Sequence, residues 1–225
     1  MRLERMIVFD MDGVLVDVTG SYREAIRQTV RYFTSQEIEN ERIQELKNAG
    51  GWTNDWAVSQ RIIQDLGISA KYDDVVAKFQ ELFLGEDGAG LICQERWVAL
   101  PGLLERLSLR YGLAVFTGRP RREAYLTLDR FARNLRFDPV IGAEDVAAGK
   151  PAPDGLLEIV KRTGAAHLWY VGDTVDDARS AQAASVPFIG VASPEAPRRE
   201  ELAVLFREMD AVAVIGDINE LEGVL

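Results

Sequence analysis

The sequence predicts an α/β fold: a parallel sheet with helices on both faces, interrupted after its first strand by an all-helical unit. Three observations predict it. From Leu100 onward, short apolar runs alternate with helical patterns, which indicates a parallel sheet. An isolated apolar run at Met6–Asp10, MIVFD, matches the later runs in composition. The segment between, from about Thr19 to Leu91, shows several amphipathic helices and no clear strand.

The elements follow in order. MIVFD is the first core strand. Ser21 and Glu24 fit a capping box for a helix with Tyr22, Ile26, Val30 and Phe33 on one face. Asn54 is placed to cap a second helix carrying Val58, Ile62, Ile63 and Leu66, closed by Gly67. Val75, Val76, Phe79, Leu82 and Phe83 form a third stripe, ending at Gly85. GEDGAG, Gly85 to Gly90, reads as a flexible return linker. Buried strands are then expected at Leu113–Thr117, Pro139–Ala143, Leu168–Asp173, Pro187–Ala192 and Ala211–Asp217. The helices between them include one with Leu103, Leu104 and Leu107, one starting at Pro120, and one with Leu156, Leu157, Ile159 and Val160 that stops at Gly164. The boundaries drawn are 1–17 and 95–225 for the sheet domain and 18–94 for the helical insert.

Composition narrows the function. The chain has 225 residues, 47% of them hydrophobic and 28% charged, enough apolar material for a sizeable core. A formal charge of −10 argues against a nucleic-acid or anionic-membrane partner, because both need a basic surface. The single cysteine, Cys93, excludes an internal disulfide, suits a reducing compartment, and reads as a small, partly buried residue. No apolar run approaches the ~20 residues of a spanning helix, and the N-terminus is too short in apolar residues for a signal peptide. The expectation is a cytoplasmic protein. Nothing in the chain demands more than a monomer, though a dimer stays open.

The chemistry gathers at strand ends. Asp10 and Asp12, Thr117 and Gly118, and Asp173 and Asp177 all fall at the carboxyl ends of expected strands, the edge where open α/β sheets bind ligands. Carboxylates crowded there repel unless a cation sits among them. All-oxygen ligands suit a hard cation, and a few carboxylates with waters and phosphate oxygens suit Mg2+. An EF-hand is excluded, since Gly13 comes too early and Val14 stands where an oxygen is needed. Singly, each motif also reads as a turn, a strand end, a loop or a helix cap. GDTVDD, for instance, suits a cap by Asp173 or Thr174. Their joint occurrence, in this order, points to a phosphate and metal site.

Four motifs in order resemble the haloacid dehalogenase superfamily: DMDGV at Asp10–Val14, TG at Thr117–Gly118, Lys150 in GKPAPD, and GDTVDD at Gly172–Asp177. The resemblance is to its phosphatase branch with a helical cap after the first core strand, the branch of phosphoglycolate phosphatases and beta-phosphoglucomutases. It implies a Rossmann-like core with a small all-helical cap inserted after strand 1. It implies Asp10 as a nucleophile that takes the phosphoryl group, and Asp12 as general acid and then base. Mg2+ would be held by Asp10, Asp12 through its backbone carbonyl, Asp173 and Asp177, the last directly or by positioning the metal or Lys150. Thr117, Gly118 and Lys150 would bind phosphate, with Lys150 also offsetting charge on Asp10. Asp12 separates phosphatases from the family's true dehalogenases, which lack a carboxylate there.

Two features concern specificity. Many relatives place Asn after the Thr or Ser of the second motif; this chain has Gly118 and then Arg119. Arg119, Arg121 and Arg122 either lie solvated at a helix start, or Arg119 faces the pocket and reads a second anionic group. The loop AGGWTNDW, Ala49–Trp56, is either a plain turn between cap helices or a specificity loop using Gly51, Trp52 and Asn54. The expected activity is Mg2+-dependent hydrolysis of a small phosphorylated metabolite. A phosphomutase and a phospho-aspartate switch are the rivals. His167, Trp97 and Trp169 read as boundary or packing residues.

Overall fold

The computed structural model describes residues 4–225 and divides into two compact units. One comprises the chain up to Val16 together with Trp97–Leu225; the other is Asp17–Arg96.

In the first unit, strand β1 (Arg5–Phe9) leads into the acidic motif. Strands β2 (Val16–Asp17) and β3 (Arg96–Trp97) pair where the chain leaves and re-enters this unit, and neither was expected. Two residues each leave no room for a periodic signal.

The second unit holds helices α1 (Tyr22–Thr34), α2 (Asn40–Ala49), α3 (Asp55–Asp65) and α4 (Tyr72–Leu84). Its core is the predicted set of stripes. Ile26, Val30, Val58, Ile62, Ile63, Val75, Phe79 and Phe83 are buried, and Tyr22 packs on Phe83 with ring centroids 4.1 Å apart. Asn54 caps α3 as expected, its side chain accepting from the Ala57 amide at 3.0 Å. Ser21 does not cap α1. Its hydroxyl donates to the Val18 carbonyl at 3.4 Å instead, so the expected capping box is absent. Gly85–Gly90, read from sequence as a return linker, forms a tight turn: the Gly90 amide bonds back to Leu84, and a Cβ on Gly85 would lie 2.5 Å from Gly90 N.

The rest of the first unit is α5 (Leu103–Ser108), β4 (Gly112–Phe116), α6 (Arg121–Phe131), β5 (Phe137–Ile141), α7 (Asp154–Thr163), β6 (His167–Gly172), α8 (Val175–Ala184), β7 (Phe188–Val191), α9 (Arg199–Glu208) and β8 (Ala213–Ile215). Six parallel strands run in the order β5-β4-β1-β6-β7-β8. The chain therefore builds outward on one side of β1 and then crosses to the other, making β1 the point where strand order reverses. Ile7, Val8 and Phe9 are fully buried, as a strand covered on both faces requires. Phe9 stands level with Val115 on one neighbour and Val171 on the other. Asp10, Phe116 and Gly172 are thus at one level, and Thr117 and Asp173 come one residue later.

Candidate active site

The register accounts for the first feature of the site. Asp10, Thr117 and Asp173 leave the sheet side by side at the switch point, where crossovers to opposite sides open a crevice. The Asp10 amide still bonds to Val171, which anchors the first motif to β6. Gly13 then turns the chain at φ +72, and a Cβ there would lie 1.9 Å from Asp173 Oδ2. Only glycine leaves space for the Asp173 carboxylate against that turn.

Lys150 joins the acids. Its Nζ lies 2.8 Å from Asp10 Oδ1 and 2.7 Å from Asp177 Oδ1, all three side chains being buried. Asp10, Asp173 and Asp177 each offer a carboxylate oxygen within 4.8 Å of the others. Burial pushes the Asp10 carboxyl well above the usual range; Lys150 opposes that, while Asp177, Asp173 and Asp12 reinforce it. Burial also acts to raise Asp177, but Lys150 and hydrogen bonds from Thr174 and Tyr170 outweigh it and hold that carboxyl below its usual value. Lys150 is raised, because attraction to Asp10 and Asp177 exceeds its desolvation penalty. The cluster thus holds Lys150 charged, Asp177 ionised and Asp10 under electrostatic pressure.

Asp177 is densely bonded. Oδ1 accepts from Tyr170 Oη at 2.6 Å and faces Lys150; Oδ2 accepts from the Thr174 amide at 3.0 Å and its hydroxyl at 2.6 Å. These four donors match the four lone-pair directions of a carboxylate. Thr174 accepts in turn from the Asp177 amide, so the motif does cap α8. The helix-cap reading and the active-site reading hold together at this residue.

Thr117 is buried, and its hydroxyl accepts from the Arg119 amide at 3.1 Å. Gly118 follows it at the mouth of α6, for which Pro120 is the N-cap rather than the first helical residue. Solvation of Arg119, one of the two readings of GRPRRE, is overturned. Arg119 is only 2% exposed, with Nε 2.9 Å from Asp12 Oδ1, Nη2 on the same oxygen, and Nη1 2.9 Å from Thr127 Oγ1. Arg121 and Arg122 are exposed, and Arg121 pairs with Asp145 at 2.5 Å.

With this geometry in view, the haloacid dehalogenase-like hydrolase family model matches residues 4–185. The chain belongs to that family. It is 34% identical over 198 residues to an imidazoleglycerol-phosphate dehydratase from Phytophthora nicotianae, covering 84% of this chain but spanning only 43% of that protein's length. It is 28% identical over 199 residues to a phosphoglycolate phosphatase from Pseudomonas fluorescens (strain Pf0-1), covering 84% of this chain and 70% of that one. A Bacteroides fragilis structure described as a haloacid dehalogenase-like hydrolase superposes with a TM-score of 0.76 at 22% identity, covering 96% of this chain and 98% of that one. That likeness shows the fold.

In this hydrolase the helical unit has its own geometry at the loop 49–56. Gly51 is exposed, with open space for 4 Å around the point where a Cβ would stand, and Trp52 is half-buried. Asn54 is engaged within the unit: besides capping α3, its amide donates to Tyr72 Oη at 3.2 Å. Cys93 is exposed, not partly buried, with its thiol donating to the Gly88 carbonyl at 3.1 Å. His167 is exposed at the start of β6. Trp97 stacks on Phe131 and Trp169 packs edge-on against Tyr111. Among the described residues no helix is long and apolar enough to cross a membrane. Sequence reasoning missed Tyr170 and the true partner of Arg119. Tyr170 offers a faint signal: it is a polar-tipped aromatic in an otherwise apolar strand, three residues before Asp173, and a buried hydroxyl needs a partner.

Proposed function

We propose that this hydrolase is a Mg2+-dependent phosphatase acting on a small phosphate monoester through an aspartyl-phosphate on Asp10. The observation that carries the reading is the seating of Asp10 between Lys150 and the Asp173 carboxylate, for which only Gly13 leaves room. The donor set suits a hard divalent cation, being all oxygen. Asp10, Asp173 and the Asp12 carbonyl would hold Mg2+, which when bound supplies positive charge beside the phosphoryl oxygens.

The remaining work falls to the chain. An Asp10 oxygen forms the new bond to phosphorus as the bond to the leaving oxygen breaks, and Asp12 gives that oxygen its proton. Water then attacks phosphorus, Asp12 takes the water's proton, and the Asp10–phosphorus bond breaks to release phosphate. Thr117, the Gly118 amide and Lys150 hold the phosphoryl oxygens throughout, and fixed charge of this kind carries much of the barrier reduction. Asp177, with Oδ1 on Lys150 and Tyr170 and Oδ2 on Thr174, acts through Lys150. The similarity to a phosphoglycolate phosphatase supports a small anionic monoester as substrate, the chain being expected to act in the cytoplasm as a monomer.

The test is phosphate release across a panel that includes phosphoglycolate and sugar phosphates, with and without Mg2+. Asp10→Asn should abolish release while the protein stays folded. Full activity in that variant, or turnover indifferent to Mg2+, would end the proposal.

A further inference from the structure

Arg119 is one of the largest side chains in the molecule to be fully enclosed. A guanidinium cannot lose its proton to ease burial, so it needs a fixed counter-charge. One partner is the Asp12 carboxylate, 107 residues away in sequence, which carries counter-charge while it is ionised. Nε and Nη2 both point at Oδ1, and no donor from the described residues reaches Oδ2. The far side of the fork is anchored as well, Nη1 donating to Thr127 Oγ1 on α6. The backbone is equally fixed: the Arg119 amide donates to Thr117 Oγ1 at 3.1 Å, and its carbonyl accepts from the Ala143 amide at 2.9 Å. Gly142 allows that approach, since a Cβ there would lie 2.9 Å from the Arg119 carbonyl oxygen.

We propose that Arg119 is a positioning residue for Asp12. It fixes one carboxylate oxygen with two N–H groups and leaves the other to pass the proton to and from the substrate. The inference rests on the phosphatase reading and on Asp12 as its proton donor. It replaces the idea that Arg119 reads a second anion on the substrate, because a buried fork held by Asp12 and Thr127 is not presented to a ligand.

Leaving groups supply the test. The 4-nitrophenolate ion departs without a proton near neutral pH, whereas phenolate and above all an alkoxide need one. The kcat/KM values of the full-length enzyme with Mg2+ would be measured on 4-nitrophenyl phosphate, phenyl phosphate and phosphoglycolate. A general acid contributes about 10²-fold or more. Arg119→Met should therefore lose about a hundredfold on the poorest leaving group and at least about tenfold less on 4-nitrophenyl phosphate. In an Asp12→Asn background the same change should cost nothing further on phosphoglycolate. Thr127→Val, a milder change of similar shape, should show the same leaving-group dependence on a smaller scale and keeps the test open if Arg119→Met does not fold. Equal losses across all three esters, or a full Arg119→Met effect in the Asp12→Asn background, would overturn the proposal. Failure of the wild-type enzyme to release phosphate from any ester would instead overturn the phosphatase reading beneath it.

Discussion

The lack of a Cβ at position 13 is what leaves room for the Asp173 carboxylate beside Asp10. Gly13 combines a positive φ with a contact that no Cβ can survive beside Asp173. Gly13→Ala should therefore cost about 1–3 kcal/mol from backbone strain alone, and it should also push Asp173 off the site. The second effect is separable from the first. Differential scanning calorimetry of the variant should show a lowered Tm that no longer rises with Mg2+; a variant that keeps the full Mg2+-induced rise would refute the seating of Asp173. At this scale the sequence was legible in part. Asp10, Asp173 and Gly13 announce themselves by motif and by their place after apolar runs. Arg119 does not, because its apparent neighbours are Arg121 and Arg122, while its actual partner lies on another strand's loop.

Among the elements, the local capping signals held at two positions and failed at a third. Asn54 caps α3, and Thr174 caps α8. Removing a cap of this type costs about 1 kcal/mol. Asn54→Ala should lower stability by that amount in a urea titration and leave the ranking of phosphate esters unchanged. A changed ranking would return Asn54 to the specificity loop. Ser21 failed as a cap because its backbone sits at φ −118, ψ −92, outside the extended geometry that lets a cap side chain reach forward. Helix α2 escaped notice because NERIQELKNA offers only Ile43 and Leu46 as apolar residues of any size, too few for a stripe. Its buried face is mixed: beside the fully buried Ile43, Gln44 accepts from Arg23 at 2.6 Å and donates to Asn48 at 2.8 Å.

For the whole molecule, the proposed metal site would tie stability to metal and to pH. A ligand that binds only the folded state stabilises it by about 2.7 kcal/mol at a hundred times its Kd. Mg2+ should raise Tm accordingly, and removing it with a chelator should reverse the rise. The sign with pH follows from Asp10. Its folded pKa is raised, so in the metal-free protein its contribution to stability is full below the ordinary carboxylate range and is lost as pH rises through the raised value. Mg2+ held as proposed would need Asp10 ionised. Its stabilising increment should therefore grow from acidic to neutral pH, with protons released on binding. Asp177 runs the other way: its pKa is depressed, so its contribution disappears as pH falls through the depressed value. Thermal melts across that range, with and without Mg2+, would read both. An increment that is flat in pH would remove Asp10 from the metal site.

Strand–helix alternation, the helical unit after the first strand and the residues at the strand tips could be read from the chain's own sequence of apolar runs and turns; the strand order, with its reversal at β1, could not. Apolar runs and turns are short-range properties, and buried parallel strands need continuous apolar stretches whichever neighbour they pair with. Which polar groups meet was decided only by folding. Crossing to opposite sides of β1 brings Lys150, Tyr170 and Asp177 together, and brings Arg119 to Asp12. A buried polar group must find a partner, but hydrophobic periodicity says nothing about which one.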